Sequence, residues 1–237
     1  MKTNIILEAL FTGADEEEIK RRDEIAPPIL RAEWMDAFLA NPRVKKRSDG
    51  SYDVDDHVHL EGLKLTKLPV KFNIVTGSFW CNENELTTLE GAPKEVGKDF
   101  VGFNNKLTSL EHGPQKVGQD FWVNSNNLTS LKHSPKSING DYWCSKNPIK
   151  NLVGMTQSRV TNLICFACKL TSLKGAAKEV IHKVDVSYNN LTSLEGAPRL
   201  VGTQAEDKTT FECFGNVVEF TEEEIKEKTG ATNIHRI

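Results

Sequence analysis

The sequence predicts an α/β repeat solenoid: a parallel β-sheet on a concave face, a short 3₁₀ or extended return on the convex side, and helical caps at both ends. Three observations predict the coils. Leu65, Leu86, Leu107, Leu128, Ile149, Leu170 and Leu191 stand 21 residues apart, and a second leucine follows each by three residues, at Leu68, Leu89, Leu110, Leu131, Leu152, Leu173 and Leu194. Upstream, two apolar positions separated by one residue recur with the same period, as at Phe79 and Cys81, Phe121 and Val123, Tyr142 and Cys144, Val184 and Val186. Between them and the leucines comes an asparagine, at Asn84, Asn105, Asn126, Asn147 and Asn189, replaced once by Cys168. Each unit reads Φ-x-Φ-x-x-N-x-L-x-x-L, and a fixed period of this kind marks units that bury their apolar faces only by stacking.

A stack of coils has two open ends, so the flanks, residues 1–50 and 204–237, are expected to cap a solenoid spanning 51–203. In the first flank Asp15 to Arg22 reads as a short charged helix. Pro28 opens a second helix in which Leu30, Trp34 and Phe38 recur on one face, and Asn41-Pro42 stops it. Ser51 to Asp55 and His57 to Glu61 read as a hairpin turning at Asp55-Asp56 into the first coil. Within each coil the apolar alternation makes a short strand whose inward residues stack on the next coil about 4.8 Å away. The asparagine ends that strand by turning its amide inward, onto backbone groups of adjacent turns that would otherwise be buried unpaired. Twenty-one residues leave too little chain for a return helix, so segments such as Gly91 to Val96 should be extended or 3₁₀. Gly102 stands where a core side chain is expected, which reads as a bulge or a small void filled by neighbours. In the unit of Ile149, V-G-M-T replaces E-G-A-P and is expected to bend the stack locally. Phe211, Cys213, Asn216 and Val218 repeat the strand signature after a six-residue insertion. A final helix opens with the capping box Thr221-x-x-Glu224 and stops near Gly230.

This pattern resembles the leucine-rich repeat. The stretches LTTLEGAPKEVGKDF (86–100) and LTSLEGAPRLVG (191–202) carry a closer resemblance, to the short leucine-rich-repeat proteins encoded by tailed bacteriophages. It covers roughly residues 49 to 203. It implies the solenoid fold and a protein that meets other proteins, those of the infected bacterium among them, and it implies no catalytic residue.

Composition removes other classes. The 30 Lys+Arg against 33 Asp+Glu, a formal charge of −3, weigh against nucleic acid and anionic membranes as partners, since both need a concentrated positive field. No window approaches the roughly 20 apolar residues of a membrane helix. The first thirteen residues, interrupted by Glu8 and followed by an acidic run, do not read as a signal peptide, so a cytoplasmic location is expected. The five cysteines are then expected as free thiols. Cys165-x-x-Cys168, with Cys144 one coil away, imitates a metal motif, but repeat positions explain the spacing. His57, His59 and Glu61 alternate onto one face with Asp53 and Asp55 nearby, and are read as a polar edge strand rather than zinc ligands. No cofactor and no enzyme are expected.

The residues flanking the inward strand positions form three outward columns: Ser78, Asp99, Asp120, Asp141, Asn162, Lys183; Trp80, Val101, Trp122, Trp143, Ile164, Asp185; and Asn82, Phe103, Asn124, Ser145, Phe166, Ser187. Trp80, Trp122 and Trp143 with Phe103 and Phe166 make an aromatic patch of the kind that marks an interface, and Tyr188 joins the set. Asp99, Asp120 and Asp141 stack where like charges repel. Either backbone N–H groups at strand entry offset that repulsion, or a basic partner supplies Arg or Lys that pair with the acids and stack on the tryptophans. The expected function is binding of a locally basic protein. A glycan-binding module and a structural, self-assembling protein are the alternatives, and a further one is that the rings lie flat over the sheet or under a cap and only stabilise the solenoid.

Overall fold

The computed structural model describes residues 27–202 and 208–235, and in them the chain winds into a parallel β-solenoid of about eight turns. The helix expected over Asp15 to Arg22 lies outside the described residues. Two extended runs per turn pair with the turns on either side. The first run gives β1 (Val44–Lys46), β2 (Tyr52–Val54), β4 (Phe72–Val75), β6 (Glu95–Val96), β8 (Lys116–Val117) and β10 (Ser137–Ile138), which form a short sheet. The second gives β3 (Val58–His59), β5 (Phe79–Trp80), β7 (Phe100–Val101), β9 (Phe121–Trp122), β11 (Tyr142–Trp143), β12 (Arg159–Ile164), β13 (Glu179–Asp185), β15 (Thr210–Glu212) and β16 (Asn233–His235). These form the long sheet, with β14 (Arg199–Leu200) paired to the start of β13. In the long sheet Phe79, Phe100, Phe121, Tyr142, Leu163 and Val184 are in register, which is the 21-residue period made physical.

The return segments are extended, as expected, and they also pair: Val96 and Val117 face the core while Glu95 and Lys116 meet outside at 3.7 Å. Two strands per turn need a tight corner between them, and glycine supplies it. A Cβ on Gly118 would lie 1.9 Å from the Gly97 carbonyl oxygen, and one on Gly97 2.0 Å from that of Thr76, so successive turns touch backbone to backbone there. From Val160 to Leu163 the corner is one residue shorter than from Val96 to Phe100, and β12 runs through it unbroken. The next turn keeps the extra residue and absorbs it as a bulge, where pairing steps from Val160 with Val180 to Asn162 with Lys183.

The core is a column of rings. Phe79, Phe100 and Phe121 stack at 5.9 and 5.5 Å, and Tyr142 continues the stack at 5.4 Å. The buried Tyr142 hydroxyl meets Ser134 Oγ at 2.7 Å, and Ser134 stands where neighbouring turns carry Ala92 and Gly113. Gly102 is no bulge: its N–H donates to Trp122 O at 2.8 Å in the regular ladder, and the Phe100 ring fills the space beside it.

The asparagines do what their spacing predicts. In Asn126, Nδ2 donates to Gly102 O (3.0 Å) and Val123 O (3.1 Å), while Oδ1 accepts Leu107 N–H at 3.0 Å. Asn84, Asn105, Asn147, Asn189 and Asn216 repeat this pattern. Cys168 has no oxygen to offer its neighbour, and Ile149 N–H donates instead to Asn147 O at 2.9 Å. Immediately before each ladder position the backbone is left-handed, at Gly62, Glu83, Asn104, Ser125, Lys146, Ala167, Tyr188 and Gly215.

A second left-handed column follows the leucine pair, with glycine at 91, 154, 175 and 196 but histidine at 112 (φ +65°) and 133 (φ +67°). Both histidines are exposed, so their side chains offset little of the strain. His133→Gly should therefore stabilise the protein by about 0.5–1 kcal/mol, net of the extra freedom glycine gives the unfolded chain. Thermal melts of the two proteins check this, with a rise of roughly 2 °C expected.

Three departures concern the ends and one turn. The hairpin is not Ser51–Asp55 with His57–Glu61: those runs lie in different sheets, and Asp55-Asp56 is an ordinary corner. Instead β1 pairs antiparallel with β2 around Asp49-Gly50, where Gly50 is left-handed and Asp49 accepts Ser51 N–H at 3.1 Å. At the other end the helix runs over α2 (Glu222–Thr229, numbered after α1, Pro27–Ala40), with the capping box and left-handed Gly230 as expected. The chain then adds β16, and Val218, assigned to a leucine position, is exposed. In the V-G-M-T turn, Val153 and Met155 form an isolated bridge, and the Gln157 amide donates to Pro135 O where other turns pair backbone to backbone. On α1, Trp34 and Phe38 are buried, Phe38 lying edge-on to Tyr52 at 5.2 Å and Phe72 at 5.8 Å.

Candidate functional site

Alternation along each long-sheet strand sends one set of residues into the core and the other outward, so the three predicted columns do lie side by side on one face. Counting back 21 residues adds a member to each: His57 before Ser78, His59 before Trp80, Glu61 before Asn82. The strand β3 is thus the first rung of the face.

The acidic column is a hydrogen-bonded ladder. Asp120 N–H donates to Asp99 Oδ1 at 3.2 Å, Asp141 N–H to Asp120 Oδ1 at 2.8 Å, and Asn162 Nδ2 to Asp141 Oδ1 at 2.8 Å. Ser78 Oγ takes the other oxygen of Asp99 at 3.1 Å. These bonds are the local compensation foreseen for the stacked acids, and they use Oδ1 of Asp120 and Asp141. Burial, and the charge of Asp120, push the Asp141 carboxyl above its ordinary range. The acid also explains a glycine, since a Cβ on Gly140 would lie 2.1 Å from Asp120 Oδ1. Further along, Lys183 meets Glu212 at 2.9 Å, and the buried Asp185, its carboxyl held up by desolvation, accepts from Ser187 Oγ.

The aromatic column divides in two. Trp80 stacks on His57 (5.1 Å, 11°) and His59 (4.3 Å, 30°), whereas Trp122 and Trp143 meet edge-to-face at 5.7 Å. The small Val101 lies buried between the two groups. All three tryptophans are half-buried. Trp143 Nε1 donates to Ser145 Oγ at 2.9 Å, while Trp122 Nε1 is buried with no protein partner, as are Oδ1 of Asn82 and of Asn124. Phe103 lies in register between those two asparagines. Phe166 is half-buried with Lys146 Nζ over its ring at 5.6 Å. Tyr188 is placed differently from the rest: it occupies the left-handed strand exit, 61% exposed, edge-on to Phe214 at 5.0 Å.

The imitation metal motifs are explained by packing. Cys144, Cys165 and Cys168 are buried, with Sγ of the first two 3.4 Å apart, and desolvation raises the Cys165 thiol above its usual range. His57 Nδ1 accepts Ser78 N–H at 3.0 Å and His59 Nδ1 meets Glu61 at 3.1 Å, so each imidazole already uses that nitrogen. Among the described residues no group of three or more His, Cys, Asp or Glu is arranged to hold a metal ion. No helix among them is long and apolar enough to cross a membrane. A cleft of about 310 Å³ near the C-terminal end is lined by Phe214, Asn216, Val218 and Glu219 among others, away from the tryptophans. No protein-family model and no curated protein matches the chain.

Sequence reasoning missed the role of His57 and His59 beside Trp80. The signal was available, since both stand one period before members of the columns. It also missed the unpartnered polar atoms around Phe103, which only packing reveals.

Proposed function

We propose that the chain is a non-enzymatic binding module of the leucine-rich-repeat type, holding a locally basic protein segment on the long-sheet face, with its flanking helices as caps. One arrangement carries this reading: Trp122, Trp143, Phe103 and Phe166, half-buried on a backbone that ladder bonds hold rigid, are anchors whose ordering has been completed before a partner arrives. Asp120 and Asp141 stand beside the tryptophans with Oδ2 outside the ladder bonds, and a guanidinium that stacks on an indole face can reach such an oxygen. The acid that burial disfavours, Asp141, gains most from an incoming cation. Asp99, with both oxygens engaged, contributes less. The resemblance to phage repeat proteins adds that the partner is a host protein met in the bacterial cytoplasm.

The test is capture from bacterial lysate by the wild-type protein and by Trp122→Ala/Trp143→Ala, once circular dichroism shows that both are folded. Loss of at least about tenfold in the amount of one captured protein is expected, since truncating central aromatic anchors has effects of that size. Equal capture by both proteins overturns the proposal. Binding to a glycan array with no captured protein would favour a glycan module, and concentration-dependent self-association insensitive to the substitutions would favour assembly.

A further inference from the structure

The first rung of the acidic ladder is a histidine, and that gives the aromatic face a titratable end. In three successive turns a side chain accepts the N–H that opens the next strand: Asp120 accepts from Asp141, Asp99 from Asp120, and Ser78 Oγ, at 3.4 Å, from Asp99. In the first turn the acceptor is His57 Nδ1, which takes Ser78 N–H at 3.0 Å. An imidazole nitrogen accepts only while it carries no proton, so this bond requires neutral His57 with its hydrogen on Nε2. The same ring lies nearly parallel to Trp80, on which His59, its register partner on the same neighbouring strand, also stacks.

We propose that His57 is a proton-operated clamp on Trp80, so that Trp80 loses one of its two stacked imidazoles and the face gains a positive charge when His57 is protonated. The protonated ring presents N–H to N–H at Ser78, a residue 1% exposed, and relief requires His57 to swing away so that water reaches the Ser78 N–H. Swinging away removes one of the two rings that stack on Trp80. The charged groups facing His57 are Lys98, Asp56, His59 and Asp99, and Asp56 is itself paired with Arg43. Burial first, and Lys98 second, hold the His57 imidazole below its ordinary value. The sign follows: the unfolded chain binds this proton more readily, so the contribution of His57 to stability is complete above about pH 6.5 and is lost as pH falls from there through the depressed folded value. For a face that takes basic segments, the added charge makes binding weaker in acid. This last step rests on the proposed function, whereas the clamp does not.

The experiment is an NMR titration of the full chain from pH 8 to pH 5, following the His57 ring nitrogens and the Trp80 indole N–H. The Trp80 signal is assigned with Trp80→Phe. The expected result is one shared midpoint below the ordinary histidine value in the wild type, and no such step at Trp80 in His57→Asn, whose amide oxygen still accepts Ser78 N–H but does not titrate. A Trp80 signal that does not titrate in the wild type, or that titrates alike in His57→Asn, overturns the clamp. The wild-type titration alone decides the matter should the variant fold poorly. Decaarginine binding at pH 7.5 and pH 5.5 then tests the consequence, with a loss about threefold to tenfold larger in the wild type than in His57→Asn expected. Equal losses overturn the link between clamp and binding. Decaarginine that binds at neither pH overturns the basic-partner reading, while the indole signal still decides the clamp.

Discussion

Asn126→Ala should destabilise the solenoid by about 3 kcal/mol. Among the described residues its amide is the side chain that supplies Leu107 N–H with an acceptor, at 3.0 Å, and removing it takes that partner from a buried N–H. Gly102 O would keep only the 3.3 Å contact from Asn105. Leaving buried backbone groups short of partners costs roughly 1–3 kcal/mol each, while the apolar volume removed is small. Asn126→Asp separates hydrogen bonding from size. It restores an acceptor for Leu107 but turns a carboxylate towards the carbonyls of Gly102 and Val123, so at neutral pH it should not rescue stability. Urea denaturation of the three proteins is the measurement. An alanine variant within about 0.5 kcal/mol of wild type would show that water replaces the amide without loss.

Gly118→Ala should be at least as damaging, roughly 3 kcal/mol or more, for a reason of space. The new methyl would lie 1.9 Å from Gly97 O and 2.6 Å from Gly97 C. Neither atom belongs to a side chain that can turn aside. Both strands at that corner are fixed to their neighbours, Gly97 N–H donating to Val75 O at 2.8 Å and Gly118 N–H to Val96 O at 2.9 Å. Relief therefore means prising two turns apart along the short sheet. Hydrogen exchange at the amides of residues 96–98 and 117–119 reads this directly, and protection equal to wild type would contradict it.

These two residues also show how far the sequence could be read. Asn126 announces itself because its role depends on a side chain, and a side chain with one job recurs every 21 residues. The same holds for the leucine pair and the inward aromatics. The left-handed strand exits escape notice because Glu83, Asn104, Ser125, Lys146 and Tyr188 share no chemistry; the backbone on either side imposes their conformation. The short sheet was hard to see for a related reason. Its strands from β6 onward are two residues long, and pairs such as Glu95-Val96 and Ser137-Ile138 carry too little pattern to separate a paired strand from a merely extended one. Of the proposed site, the columns were legible from alternation and period. The division of the tryptophans was not, because which way Trp80 and Trp122 lean depends on the small Val101 between them and on the imidazoles at the first rung.

The short sheet stops at β10, while the long sheet continues to the end of the described chain. Up to that point neighbouring turns are sewn together along two edges; at the turn containing Val153 and Met155 the return side is tied to its predecessor by Thr156 and Gln157 reaching Pro135 O and by Thr161 N–H donating to Gly140 O, and strand pairing on that side resumes between β12, β13 and β14. In a linear array where each unit feels only its neighbours, cooperativity is limited by the weakest junction. The junction between the turn of β10 and the turn of Val153 is therefore where the stack is expected to part first. Phe103, Trp122 and Trp143 lie before that junction and Phe166 beyond it, so the first three anchors stay together if it opens.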